Sequence, residues 1–544
     1  MQGRIKGNIV DIFNKEIYPG ELVFAEGKIT EVKRLEAETV LERYIMPGFV
    51  DAHVHVESSM LVPSEFARMA VCHGTVATVS DPHEIANVLG VDGVDFMVEN
   101  GKQVPFKFFF GAPSCVPATV HETAGAVIDV EGVRELLGRE DIHYLAEMMN
   151  WPGVLARDGE VMAKIKAAHD AGKPVDGHAP QLRGEQAKAY AEAGITTDHE
   201  CVSEAEARDK LIHGVKVQIR EGSAAKNYEA LKPLISEHAD RMMFCMDDTH
   251  PNHLIDGHIN TLVRRALADG FDLFDVLRMV TLNPVEHYKL DVGLLREGDE
   301  ADFIVTDGTG VDFEVLGTYI SGERVAEEGR TLIGPVEVEP VNRFVSREIL
   351  PDAFGLEAKT DKMRVVTVED GQIVTGQEIM SVKEKDGMAV ADPETDVLKL
   401  AVISRYDDKP PAVAFIRGFG FGAGAVASTV AHDSHNIIAV GADDESMAKA
   451  VNVLMESKGG LSVVGDAGTD VLPLPVAGLM SAQDGFELAG EYDEIVRKAG
   501  ELGTRLHDPF MTLSFMALLV IPELKLSDQG LFDGRKFEFV DLFV

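Results

Sequence analysis

The sequence predicts an α/β protein built around a TIM-like (β/α)8 barrel. Between residues 46 and 290, short apolar runs alternate with helical stretches such as "VMAKIKAAHDAG", a succession typical of a parallel sheet. About eight such runs occur, counting "IMPGFVDAHVH", and eight parallel strands close a barrel. Six of the runs end in His, Asp or Glu, as expected where the carboxyl ends of barrel strands meet at one mouth. A doubly wound open sheet is the alternative.

The flanking segments predict additional units. Residues 1–45 combine alternating apolar residues with Gly and Pro, which indicates short strands joined by turns. Residues 343–544 contain further strands, such as "LKLAVISRYD", and helices, such as "DESMAKAVNVLMESKGG". We therefore expect a separate C-terminal α+β domain over 343–544, packed on the barrel.

Composition excludes several classes of function. The chain has 91 acidic and 51 basic residues among 544, a net charge of −40, so a nucleic-acid partner is not expected. No signal peptide and no apolar run of membrane-spanning length are found, which predicts no membrane partner. The four cysteines are scattered without a Cys-x-x-Cys pair, as in a protein of the reducing cytoplasm.

The run "DAHVHVE" carries the strongest local signal. His53 and His55 alternate along a predicted strand, so both imidazoles point to one face, as two ligands of a metal ion would. A solvated pair on an edge strand is the alternative. The ends of the later runs add further ionisable residues, namely Asp81 and His83, Glu147, His178, His199 and Glu200, and Asp247 and Asp248.

These motifs resemble the amidohydrolase superfamily of metal-dependent hydrolases. "PGFVDAHVHVESS" is similar to its first strand, and "TLNPVEHYKL" followed by "GLLREGDEADFIVTD" resembles the exit from its barrel. The resemblance implies a catalytic barrel over 46–290 and a composite β-sandwich of 1–45 and 291–342. Within the superfamily, "DPHEIANVLG", "HETAGA", "FCMDDTHP" and "AHDSHN" resemble the adenine deaminases of bacteria and archaea, and the match spans nearly the whole chain.

The resemblance implies two divalent metal ions, Mn or Fe(II) in the first place and Zn as a further possibility. Many relatives bridge their two metals with a carboxylated lysine, but the fourth run offers Glu147 instead, whose two oxygens suit the same role. The implied ligands are His53, His55, Glu147, His178, His199 and Asp247.

The resemblance also implies that the site residues deaminate adenine. Adenine is therefore the expected small-molecule partner. Metal ions supply hydroxide for attack on C6 at neutral pH. Asp247 is expected to pass a proton to the leaving ammonia, and either Glu57 or Glu200 to protonate N1. We prefer Glu57, because strand alternation places it on the face of His53 if the strand extends that far. The expected substrate contacts are Asp248, His83 and His121.

Two segments near the C-terminus stay open to interpretation. "STVAHDSHN", beside the glycine-rich "GFGFGAGAVA", suggests a flexible segment that reaches the barrel mouth. "HDPFMTLSFMALLVIPEL" is interpreted as core packing, or as the surface of a homo-oligomer. Two other functions remain possible: a dinuclear amidohydrolase that acts on a cyclic amide or another aminated heterocycle, and a metal-binding protein without turnover.

Overall fold

The computed structural model describes residues 2–544, and its centre is a parallel β-barrel. Residues Asp247–Asp248 pair with the first barrel strand, and the split eighth strand thus connects the seventh strand to the first. A hydrogen bond from Thr196 N to Val175 O (2.8 Å) links the fifth strand to the segment that enters the sixth. In order, the strands are Phe49–His55, Thr75–Ser80, Lys107–Ala112, Ile142–Met148, Val175–Gly177, Thr197–Asp198, Lys216–Arg220, and the split strand Met242–Cys245 with Asp247–Asp248. The predicted barrel is confirmed, and the open-sheet alternative is wrong.

The barrel strands are buried on both faces. All six residues of Thr75–Ser80, "TVATVS", are buried, because side chains fill the barrel on one face and helices cover the other. Several helices begin where a side-chain oxygen accepts a hydrogen bond from the first turn, as Asp158 and Ser203 do. The larger helices around the barrel are Pro63–Ala70, His83–Leu89, Val91–Gly101, Val130–Leu137, Trp151–Ala156, Gly159–Asp170, Gly184–Glu192, Glu204–Ile212, Pro251–Asp256, Ile259–Ala268, Leu273–Val280 and Leu282–Tyr288.

Strands from both ends of the barrel segment form one eight-stranded sheet. Phe24 and Tyr319 lie on strands separated by three others, yet their ring centroids are 6.4 Å apart. The sheet therefore curls over itself and encloses a small apolar core, as a sandwich does. Its strands in spatial order are Arg330–Thr331, Glu323–Glu327, Val315–Ile320, Phe303–Thr306, Tyr44–Pro47, Gln2–Asp11, Glu16–Ala25 and Lys28–Arg34.

The C-terminal region forms a second eight-stranded, mostly antiparallel sheet. Helix Asp444–Ser457 packs on it, while Gly485–Gly500 packs against the barrel helix Pro251–Asp256. Three short strands, Leu524–Ser527, Gly530–Asp533 and Glu538–Phe539, form a further small sheet. The strands of the large sheet in order are Gly376–Ser381, Lys362–Thr367, Ala412–Arg417, Leu398–Ile403, Ile437–Gly441, Ala425–Ser428, Gly460–Gly465 and Gly468–Pro473.

The C-terminal region contacts the barrel beside its mouth. Val62 N donates to Ser481 O (3.1 Å), and Arg68 forms an ion pair with Asp484 (3.0 Å). These contacts hold the second domain against the first helix of the barrel. Among the described residues, no helix combines the length and the apolar character that crossing a bilayer requires.

Candidate active site

The first and eighth barrel strands bring three potential ligands together. His53 Nε2 and His55 Nε2 are 3.2 Å apart, because alternate residues of a strand share a face. The eighth strand breaks after Cys245, and Asp247 adopts a φ of 60°, an uncommon value for a residue with a side chain. Its Oδ1 lies 3.4 Å from His53 Nε2 and 3.3 Å from His55 Nε2. Three donor atoms thus converge on one point.

Glu147, near the end of the fourth strand, lies between two groups of histidines. Its Oε1 is 3.5 Å from His55 Nε2. Its Oε2 is 2.7 Å from His178 Nδ1 and 3.0 Å from His199 Nε2. The two oxygens of one buried carboxylate therefore face different histidine groups, which is the geometry of a bridge between two cations.

Arg220, which ends the seventh strand, is the site residue that the sequence analysis missed. Its guanidinium forms a buried ion pair with Glu200, and Nη1 also lies 2.7 Å from Asp247 Oδ2. Burial opposes ionisation of Glu200, but the nearby charges of Arg220 and two histidines outweigh it and lower its pKa. The only available signal was the position of Arg220 at a strand end, since arginine is not a metal ligand.

The second strand also ends at the mouth. His83 Nδ1 is 3.1 Å from Asp81 Oδ2 and 3.5 Å from Glu147 Oε1, so His83 lies next to the histidine groups. Asp248 lines the same pocket and accepts a hydrogen bond from Ser58 Oγ (2.5 Å). Two of the three predicted substrate contacts, His83 and Asp248, therefore lie at the pocket.

Glu57 and His121 lie elsewhere. The first barrel strand ends at His55, and Glu57 belongs to the short 3-10 helix Val56–Ser59, so strand alternation does not extend to it. Its Oε1 accepts a hydrogen bond from Ile85 N (3.2 Å), and it is not among the residues that line the pocket, although burial raises its pKa to about 7.

His121 packs between aromatic rings of the last strands instead of facing the mouth. Its ring lies 5.1 Å from that of Phe532 and 5.4 Å from that of Phe539, centroid to centroid. The loop after the third strand is held against the C-terminal domain, and this contact directs His121 away from the barrel. The structure thus separates both Glu57 and His121 from the pocket that they were expected to face.

The C-terminal domain supplies one wall of the pocket. His432 and Asp433 come from the segment "STVAHDSHN", and apolar side chains come from the stretch that the sequence analysis interpreted as core. Part of that stretch is indeed core, but sequence alone does not separate core residues from pocket residues when both are apolar. The apolar lining residues are Ala225, Met149, Ile373, Phe515, Leu518, Val520 and Ile521.

The donor set fits divalent cations. Two combinations, His53 with His55 and Asp247, and His53 with Glu147 and His199, offer ligand atoms within 4.8 Å of one another, all on buried residues. The outward ring nitrogens, His53 Nδ1 and His199 Nδ1, have no hydrogen-bond partner among the described residues. Imidazoles and carboxylates packed this closely repel one another unless protons or cations lie between them. A barrel with such a centre at its carboxyl end defines a metal-dependent hydrolase of the amidohydrolase class.

Comparisons with known proteins agree with this class and narrow it. The amidohydrolase family model matches residues 44–325, and the model of the adenine deaminase C-terminal domain matches residues 372–538. The chain belongs to the adenine deaminase family.

Relatives named adenine deaminase match over nearly full length. Those from Salinibacter ruber, Methanosarcina mazei and a Sulfurovum species are 56%, 51% and 54% identical, and each alignment covers 99% of both chains. Among solved structures, an enamidase described as a member of the amidohydrolase superfamily aligns with a TM-score of 0.47 at 17% identity, over 61% of this chain and 97% of that one.

Proposed function

We propose that this protein hydrolyses adenine to hypoxanthine and ammonia. The observation that carries the proposal is the position of Glu147 between two histidine groups, in a pocket that apolar side chains also line. Apolar side chains suit the faces of a planar heterocycle, and the polar groups suit hydrolysis at its edge. The identity to named relatives supports adenine as that heterocycle.

We propose that His53, His55 and Asp247 hold one divalent ion, that His178 and His199 hold the second, and that Glu147 bridges them. When bound, such ions make hydroxide available from water at neutral pH, which is the nucleophile that C6 requires. Manganese or Fe(II) is the proposed metal, with zinc also compatible with the donors.

Side chains of the protein are proposed to orient the substrate and to transfer protons. Arg220 holds Asp247 Oδ2 at 2.7 Å, which leaves Oδ1 beside His53 and His55. Asp247 is proposed to take the proton of the attacking hydroxide once it has added to C6, and to deliver this proton to the departing nitrogen of the amine. His83 and Asp248, which line the pocket, are proposed to contact the ring of the substrate.

Ammonia release from adenine tests this proposal. The protein is stripped of metal with a chelator, reloaded separately with Mn, Fe(II) and Zn, and assayed with adenine, adenosine, cytosine and guanine in parallel. Release from adenine alone, at two metal equivalents, is expected. Release from another of these compounds instead would contradict the assignment of substrate.

Three proposals concern the setting of the enzyme. Cys72, Cys115, Cys201 and Cys245 are all free and buried, which supports a cytoplasmic location. A reaction that converts free adenine to hypoxanthine supports a role in purine salvage. The homodimer remains a prediction, and its sequence argument is weakened because most of the apolar stretch 510–519 is buried within the chain.

A further inference from the structure

The segment 428–436, here called the C-terminal loop, is held on the barrel mouth by one carboxylate. Glu84 lies on the helix that follows the second barrel strand, 348 residues before His432 in the sequence. Its Oε1 is 2.6 Å from His432 Nδ1, and its Oε2 contacts His435 Nε2. All three side chains are buried. These three residues form what we call the loop anchor.

Hydrogen-bond geometry indicates that both histidines of the loop anchor donate protons in hydrogen bonds to Glu84, so that no metal ion is needed between them. Ala431 N donates to His435 Nδ1 (3.3 Å), so Nδ1 accepts and Nε2 carries the proton that His435 gives to Glu84. Burial lowers the pKa of His435 to about 4, which keeps this ring neutral. Burial opposes protonation of His432 as well, but the charge of Glu84 outweighs it and raises its pKa to about 9. The positive charge of the His432 imidazolium therefore balances the negative charge of the Glu84 carboxylate.

Further bonds fix the loop on either side of Asp433. Tyr406 Oη donates to Ser434 O (2.6 Å), and Asn436 Nδ2 donates to Thr123 O on a barrel loop (2.8 Å). The ring of His432 stacks on Phe515 with centroids 4.9 Å apart. The backbone that carries Asp433 is therefore held from both domains.

Asp433 itself faces the pocket without a partner. It lines the pocket and is 3% exposed, and no described residue donates a hydrogen bond to its buried Oδ2. The charged or titratable groups around it include His83, Glu84, Glu122, His432 and Glu147. Burial raises the pKa of Asp433 to about 6. A carboxyl group in this state can donate a proton near neutral pH.

The other acids near the pocket are engaged. Glu200 is paired with Arg220, which holds it ionised. Asp248 accepts from Ser58 Oγ, and Glu57 accepts from Ile85 N outside the pocket. Asp433, in contrast, lines the pocket with a buried Oδ2 that has no hydrogen-bond partner among the described residues.

We propose that Asp433, supplied by the C-terminal domain, is the acid that protonates the ring nitrogen N1 of the substrate. The proposal rests on the deamination proposed above. The carboxyl O–H bond breaks as the N1–H bond forms, while hydroxide adds to C6. The carbon–nitrogen bond to the amine then breaks, and ammonia leaves with the proton of the added hydroxyl group. A proton from the next water molecule restores Asp433, so the sum is adenine plus water to hypoxanthine plus ammonia.

The first test compares Asp433→Asn with the neighbouring control Ser434→Ala. The Asn variant should bind two metal equivalents and lose roughly a hundredfold or more in kcat, the contribution of general acid catalysis. The control should retain most of its rate, and Asp433→Glu should recover part of the loss. An Asn variant that turns over adenine like the parent protein would overturn the assignment.

The second test needs no turnover. Hypoxanthine carries a proton on N1, so it should bind best when Asp433 is ionised and can accept that proton. Affinity for hypoxanthine, measured by titration calorimetry, should therefore fall as pH drops below about 6 in the parent protein, and this dependence should vanish in Asp433→Asn. The same pH dependence in both proteins refutes the role of Asp433, whatever the assay with adenine shows. Failure of adenine turnover in the parent protein would instead refute the proposed function.

Discussion

Two buried clusters of histidine and carboxylate lie close together at the barrel mouth, and their chemistry differs. The first, here called the metal cluster, contains His53, His55, Glu147, His178, His199 and Asp247; the second is the loop anchor. In each cluster, the two oxygens of one glutamate face different histidines. From residue types alone, metal binding would therefore be predicted for both clusters.

Hydrogen bonds distinguish them. In the loop anchor, Ala431 N fixes the tautomer of His435, and the one negative charge is matched by one imidazolium. In the metal cluster, His55 Nδ1 donates to the backbone oxygen of Asp81 (3.2 Å), which leaves His55 Nε2 as an acceptor. This nitrogen faces His53 Nε2 at 3.2 Å beside Asp247 Oδ1. Acceptor atoms without a proton between them, as in the metal cluster, are stabilised by binding cations. Acceptors that are each paired with a donor, as in the loop anchor, form hydrogen bonds that hold two segments together. A buried cluster is thus identified by its proton count as much as by its composition.

The largest effect is expected from Glu147→Gln. Loss of the bridging charge should lower metal content below two equivalents and reduce turnover by about a thousandfold, because several kcal/mol of stabilisation by the metal ions depend on it. Metal analysis of the purified variant and an ammonia assay check this. Full occupancy by two ions in the variant would contradict the bridge.

Removal of Arg220 tests the charge balance of the metal cluster. In the metal-free protein, Arg220→Met leaves Glu200 and Asp247 buried without their cation, so unfolding free energy should fall by about 3–5 kcal/mol. Urea denaturation measures the change. Arg208→Met, which removes a surface ion pair with Glu204 and Glu237, is the matched control and should change stability little. Equal effects of the two substitutions would show that the buried arrangement contributes nothing.

Glu84→Gln is the counterpart of Glu147→Gln in the loop anchor. Two metal equivalents should remain, while kcat should fall about ten- to a hundredfold, because the loop that carries Asp433 loses its anchor and catalytic groups tolerate little displacement. Metal analysis of both variants distinguishes the two clusters, because only Glu147→Gln should lower the metal content. A variant that binds one metal equivalent less than the parent protein would show that the loop anchor itself holds a metal ion.

The last prediction concerns Lys525, whose side chain contacts two segments of the pocket wall. Its Nζ donates to Ile373 O (2.8 Å) and Phe515 O (2.9 Å), and burial lowers its pKa from 10.5 to about 7. Between these values the unfolded chain binds one more proton than the folded one, so Lys525 should make stability rise with pH in this window. The difference in unfolding free energy between the parent protein and Lys525→Met, measured from pH 6 to about 10, should show that rise. A constant difference would exclude a buried neutral lysine.

The sequence was sufficient to predict the barrel because its strands end in polar residues at regular intervals. His53, His55, Glu147, His178, His199 and Asp247 converge on one site as the resemblance implied, since strand order determines which ends meet. Their roles as ligands remain predictions that the metal analyses above address.

Contacts over long sequence distances could not be predicted. Strand alternation could not place Glu57, because the first barrel strand ends two residues before it, and the position of His121 depends on a loop that packs on the last strands of the chain. Arg220 was passed over because its partners, Glu200 and Asp247, come from two other strands. "STVAHDSHN" did indicate a segment near the mouth, but nothing in the sequence paired it with Glu84.

The 348 residues between Glu84 and His432 have a consequence for synthesis on the ribosome. The barrel is translated first and contains all six residues of the metal cluster, so it can in principle collect its ions while the rest of the chain is still emerging. The wall that carries Asp433 is translated last. With the role proposed for Asp433, a nascent chain that ends before residue 433 carries the residues of the metal cluster and lacks the acid that protonates the substrate.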